Sequence, residues 1–177
     1  MDAGNITWLL VASALVMFMT PGLAFFYGGL VRAKNVLSIM MHCFTILAVV
    51  SITWILWGYS IAFGPEGNAI FGSIKAFFLK GIMPDNLIGT IPEFAFVAFQ
   101  GVFAAIAVAI ISGSVIGRLK FNSWVLFSAL WVLLVYAPLV RMIWGEGLLD
   151  YLGELDFAGG TVIHVNAGVA GLVLALI

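Results

Sequence analysis

Residues 155–177 read LDFAGGTVIHVNAGVAGLVLALI. After Asp156 the run 157–177 contains no Asp, Glu, Lys or Arg. Its apolar residues do not alternate, so it does not describe a strand with one wet face. A helix crossing a bilayer core needs ~20 predominantly apolar residues, and this run supplies them. Four further stretches share the property: 3–31, 35–65, 94–117 and 121–140. The sequence therefore predicts an all-α integral membrane protein. Its five transmembrane helices fall at about 5–31, 36–63, 94–117, 121–141 and 158–177 of one domain, 1–177.

Composition agrees. The chain is 64% hydrophobic and 8% charged, against roughly 25% charged in a soluble domain. A net charge of −1 offers no basic surface for nucleic acid. The single cysteine, Cys43, excludes an internal disulfide framework and a multi-cysteine metal site. No basic segment precedes the first span, and its apolar run is too long for a cleavable signal. The last span closes at LVLALI without a charge or an interfacial aromatic, which leads us to expect a longer native chain.

Arg32 with Lys34, and Arg118 with Lys120, occupy two very short connections. Basic residues in short loops favour the cytoplasm. The expected topology puts the N-terminus and the segments 64–93 and 141–158 outside. Within the first of these, FGSIKAFFLK (71–80) can form a short interfacial helix. Pro21-Gly22 falls inside the first span, where proline removes a backbone hydrogen bond and kinks a helix.

The exceptional residue of the opening stretch is His164. Asp156 precedes the helix and can cap it through the N–H groups of Ala158 or Gly159, its charge suiting the positive helix end. His164 then sits ~12 Å along the helix, inside the membrane core. It shares a face with Gly160, Gly168, Gly171 and Ala175, a stripe of small residues that admits close approach. The imidazole serves either as a hydrogen-bonded core residue or in function, and an ionisable group inside a span is a functional hypothesis by default. His42, near the inner end of the second span, reads as structural. Asn166 reads as an interhelical hydrogen-bond partner. Trp144, in MIWGEG, is either an interfacial anchor or a cation–π site, with Glu146 and Asp150 close by. Phe103, in FVAFQGVFAAI, is by composition a packing residue.

Three pieces carry a resemblance: TPGLAFFYGGLVRAKNVLS (20–38), VAFQGVFAA (97–105) and MIWGEG with LDFAGGTVIHVNAGVAGL (142–172). In order and content they resemble the Amt/Mep/Rh ammonium transporter family, its Amt/Mep branch in particular. The resemblance implies an eleven-helix fold of two inverted five-helix halves plus a last helix, of which this chain matches the first half. It implies trimers with one pore per subunit. It further implies ammonium/ammonia as substrate, no cofactor and no metal. The implied partners are membrane lipids and a cytoplasmic P-II-type nitrogen regulator. The implied location is the plasma membrane of a bacterium or archaeon.

Residue by residue, Trp144 resembles the outer recruitment site for NH4+ and Phe103 one of two gating phenylalanines that also borders it. Asp156 resembles the aspartate that acts there through structure and electrostatics. His164 resembles the first pore histidine, and Phe26 and Tyr27 the inner pore lining. Gln100 stands near the gate with no assigned role. Glu146 replaces a glycine often found in that turn. The second phenylalanine, the recruitment-site hydroxyl and the second histidine belong to the absent half. Ammonium transport is the first expectation and an ammonium sensor with a fused signalling domain the alternative. An intramembrane enzyme has no partner nucleophile, metal set or paired acids to support it, and a scaffold subunit gives His164 no purpose.

Overall fold

The computed structural model describes residues 1–177. Four helices are long and apolar enough to cross a membrane: α1 (Ala3–Leu30), α2 (Ala33–Phe63), α3 (Glu93–Val115) and α4, continuous over Phe121–Trp144. A fifth apolar helix, α5 (Gly160–Leu176), is shorter, ~25 Å at 1.5 Å per residue. The protein is thus an all-helical membrane protein, as the charge-free stretches indicate.

Helix α3 lies at the centre and packs against α1, α2 and α5. Its buried positions include Gly101, Ala104, Ala105, Ala107 and Ala109. Side chains this small bring helix backbones together, which is how membrane helices associate without a hydrophobic driving force between them. Around this spine lies a core in which Trp54, Trp124, Tyr59 and Tyr136 are fully buried. The indole N–H of Trp54 donates to the Val97 carbonyl at 3.1 Å and that of Trp124 to the His42 carbonyl at 3.2 Å. Each ring therefore also pins one helix to another.

Helix α1 runs unbroken through Pro21, so the interruption expected at Pro21-Gly22 is confined to the missing hydrogen bond. Helices α2, α4 and α5 each contain a widened turn, at Trp54–Gly58, Val132–Tyr136 and Gly160–Val165. Helix α4 continues to Trp144, past the end expected at 141, because Arg141 does not break it. Its guanidinium Nε–H instead reaches the Asn68 carbonyl at 3.1 Å.

All eight acids gather at one end of the bundle. Asp2 caps α1 through the Asn5 N–H, and its own N–H donates to Thr90 O at 3.0 Å. Segment 64–92 is joined to the turn after α4 by the Leu148 N–H on Ala69 O at 2.8 Å. The segment contains a two-residue antiparallel ladder, Leu87–Ile88 with Ile91–Pro92. The stretch FGSIKAFFLK forms tight 3-10 turns over Ile74–Leu79, broken at Phe77 and Phe78, rather than a regular helix. Exposed Glu66 pairs with Lys75, whose hydrogen bond and charge hold its carboxyl below the usual carboxylate range. The opposite end carries the connections between α1 and α2 and between α3 and α4, together with the C-terminal end of α5.

Candidate functional site

At the acidic end, α2, α3, α4 and the loop before α5 enclose an open hollow of about 670 Å³. Its walls are mostly aromatic: Phe63 from α2, Phe96, Phe99 and Phe103 from α3, and Trp144 from α4. Phe63 meets Phe96 edge to face at 5.1 Å between centroids, and Phe99 meets Phe103 in the same way at 5.0 Å. Each such pair orients the other ring.

Trp144 is the last residue of the regular part of α4 rather than a loop residue. Its indole N–H donates to the Asp156 carbonyl at 2.9 Å, so the ring has one orientation at the mouth. The flanking glycines confer close approach, not flexibility. A Cβ at Gly147 would lie 2.4 Å from the Arg141 carbonyl and 2.6 Å from that of Ala69. Between them Glu146 adopts a left-handed conformation, φ 58°, with its side chain exposed.

Asp156 caps α5, but deeper than the sequence suggests. Its carboxylate accepts from the N–H groups of Gly160, Thr161 and Val162 at 2.8, 2.9 and 2.8 Å. Ala158 and Gly159 were the expected donors. The register differs because Gly159 takes a left-handed conformation, φ 79°, and the helix opens on a widened turn. Both carboxylate oxygens are thereby committed to the helix end, and the backbone carbonyl alone serves Trp144. Glu154 extends the cap by accepting from the Thr161 hydroxyl at 2.6 Å.

His164 follows on α5, and in this chain it is exposed. So are Gly160, Gly168 and Ala175 of its stripe, while Gly171 is half-buried. A Cβ at Gly160 or Gly168 would meet nothing within 4 Å, and one at Gly171 would touch only Ser114, at 3.6 Å. The stripe is thus an open face of the bundle. Asn166 does not bond to another helix, since its Nδ2 donates to Val162 O in its own helix at 3.2 Å.

Toward the other end Tyr27 donates to the Ile110 carbonyl at 2.9 Å, and its ring fills the space above Gly113. Phe26 lies beside it, 5.9 Å between ring centroids, and is largely exposed. His42 lies apart from these residues. It is buried between Phe121 and Trp124, with Nδ1 2.6 Å from the Ser38 carbonyl.

The sequence reading named Trp144, Phe103 and Asp156, and the structure brings these three to one hollow. It did not name Phe63, Phe96 and Phe99 as site residues. For the last two a signal existed: Phe96, Phe99, Gln100 and Phe103 recur at three and four residues, one face of a helix. Gln100 is 8% exposed, with Oε1 unpartnered beside the hollow.

Apolar helices of this length define an integral membrane protein, with an aromatic hollow at its acidic end and an exposed histidine within one span. Residues 7–177 match the model of the Ammonium Transporter Family, and the chain belongs to that family. It is 49% identical to an ammonium transporter of Bacillus subtilis, with all of this chain aligned to 44% of that protein. It is 50% identical to one of Aquifex aeolicus, with all of the chain aligned to 42%. The chain therefore spans less than half the length of the curated relatives it matches. Among solved structures, that of Candida albicans Mep2 superposes with a TM-score of 0.91 at 35% identity, over 99% of this chain and 39% of that one. A structure described as a sensor Amt protein superposes with a TM-score of 0.85 at 28% identity, over 93% of this chain and 41% of that one.

Proposed function

We propose that this chain is the N-terminal half of a subunit that carries ammonium or ammonia across the plasma membrane, with its N-terminus outside. The subunit works within a trimer and is not an enzyme. The observation that supports the reading best is the fixed Trp144 ring facing a phenylalanine-lined hollow beside Asp156. A bare NH4+ leaving water loses a large hydration energy. The face of an indole restores part of it through the ring quadrupole, and Trp is the strongest aromatic for this. Phe103 then acts as a gate. Beyond it NH4+ gives up its proton, and the neutral solute passes His164, whose imidazole offers hydrogen bonds in an otherwise apolar route. Phe26 and Tyr27 line its inner end. Potassium has no proton to surrender and stays outside.

The stripe of small residues beside His164 forms one wall of this route, and the part of the relatives not matched here supplies the other. A cytoplasmic P-II-type nitrogen regulator acts on the inner face. The resemblance to a sensor Amt protein keeps a second reading, ammonium sensing, in view. Ammonium-elicited current, measured with the full-length protein in liposomes, tests the proposal. Current should appear with the native sequence and fall at least tenfold in His164→Ala. A native protein that binds ammonium at Trp144 but passes no current would instead establish the sensor.

A further inference from the structure

At the acidic end a side-chain bond joins α2 to α3. The Tyr59 hydroxyl donates to Glu93 Oε1 at 2.8 Å, although the two residues are 34 apart in sequence. Glu93 is the first residue of α3. Its other oxygen, Oε2, accepts from Asn86 Nδ2 at 3.3 Å, and its backbone N–H donates to the Asn86 carbonyl at 2.9 Å. One carboxylate thus gathers α2, α3 and the segment before α3. A hydrogen bond to a charged acceptor is roughly twice as strong as a neutral one. Tyr59 is only 2% exposed, so little water competes for its hydroxyl.

One turn along each helix from this bond lies the aromatic hollow. Phe63 follows Tyr59 by four residues and Phe96 follows Glu93 by three, which puts each pair on one helix face. The rings of Tyr59 and Phe63 stand 5.6 Å apart, and those of Phe63 and Phe96 5.1 Å. Trp54 meets both Tyr59 and Phe63 edge to face. Ring contacts of this kind are compatible with several separations. A hydroxyl–carboxylate bond is not, because it weakens steeply with distance and angle. Phe63 and Phe96 line the hollow, whereas Tyr59 and Glu93 stand behind them.

We infer that Tyr59 and Glu93 are positioning residues that fix the Phe63–Phe96 wall of the hollow and so let it discriminate ammonium from methylammonium. The inference rests on the transport reading for its substrate and extends it to selectivity by size. An apolar pocket that cannot give way discriminates one carbon by roughly 10- to 200-fold. With the bond broken, the outer ends of α2 and α3 can part and the wall yields to the extra methyl group.

Currents elicited by ammonium and by methylammonium should be compared in liposomes with the full-length protein. Tyr59→Phe keeps the ring and removes the hydroxyl. It should reduce the preference for ammonium, taken as the ratio of half-saturating concentrations, roughly three- to tenfold, while the maximal ammonium current changes little. Glu93→Ala should do the same, and the double variant should do no more, because all three lose one interaction. Glu93→Gln keeps an acceptor for the hydroxyl and should retain the native preference. Loss of preference in Glu93→Gln but not in Tyr59→Phe would overturn the proposal in favour of the charge. Equal falls of both currents at unchanged preference would reduce the bond to a structural one and overturn it as well. A thiol reads the wall without transport, since the native Cys43 is buried. Phe99→Cys, in the hollow, should react with a bulky maleimide several-fold faster once Tyr59→Phe is added. An unchanged rate would overturn the proposal. A faster rate in a protein that passes no current would uphold the fixed wall and sink the transport reading alone.

Discussion

At Trp144 two properties meet, a quadrupolar ring for a cation and an N–H that must be satisfied. The Asp156 carbonyl satisfies it. Trp144→Leu keeps the apolar volume and removes the quadrupole. A cation–π contact of about 0.5–2 kcal/mol predicts an apparent ammonium affinity roughly 2- to 30-fold weaker. The maximal current should change much less, as concentration dependence of the current will show. Asp156 behaves differently, because its carboxylate holds three backbone N–H groups. Asp156→Ala should cost about 2 kcal/mol in stability, read as a lowered melting temperature of the purified protein. Saturating ammonium should not restore its current, since the lost element is the start of α5 rather than a ligand. His164 was legible in the sequence because one imidazole stands in a run with no other ionisable group. The phenylalanines were not. In spans 64% of whose surrounding chain is hydrophobic, a ring that lines a hollow and a ring that meets lipid are the same letter.

Among the elements, the long charge-free stretches made the helices readable, whereas their ends depended on contacts remote in sequence. Arg141 marked the expected end of α4, yet the helix runs on because the guanidinium finds the Asn68 carbonyl 73 residues away. The cap of α5 slipped by two residues because Gly159 is left-handed and the first turn is wide. Neither was visible from local pattern. The turn after α4 gives the sharpest test of such a contact. A methyl group at Gly147 would sit 2.4 Å from one backbone carbonyl and 2.6 Å from another, and backbone cannot rotate away as a side chain does. Gly147→Ala should therefore destabilise the protein by about 2 kcal/mol. Gly168→Ala should leave the fold of this half unchanged, because a Cβ there meets nothing within 4 Å. If the open stripe forms a wall of the route, the same substitution should nevertheless reduce the current. Melting temperature and current measured side by side separate the two effects.

For the molecule as a whole, charge is segregated along the bundle. Eight acids and three bases occupy the end with the hollow, and four bases occupy the other. An apolar bundle between two such ends does not screen them, so the acidic rim raises the concentration of cations at its mouth. Glu146 is the best probe of this field. Its side chain is exposed, beside Trp144, at a left-handed position where glycine would be unstrained. Glu146→Gln keeps the size and backbone and removes only the charge. If the acid acts through the field, the variant should need about two to three times more ammonium for half-maximal current at low ionic strength. The difference should vanish near 0.5 M salt, where the screening length falls to about 4 Å. If Glu146 instead touched the bound ion, the contact would be shielded from salt and the difference would persist. If Trp144 contacts the ion directly, as proposed, the Trp144→Leu defect should persist across the same range. The two variants measured at two salt concentrations thus separate attraction to the mouth from binding within it.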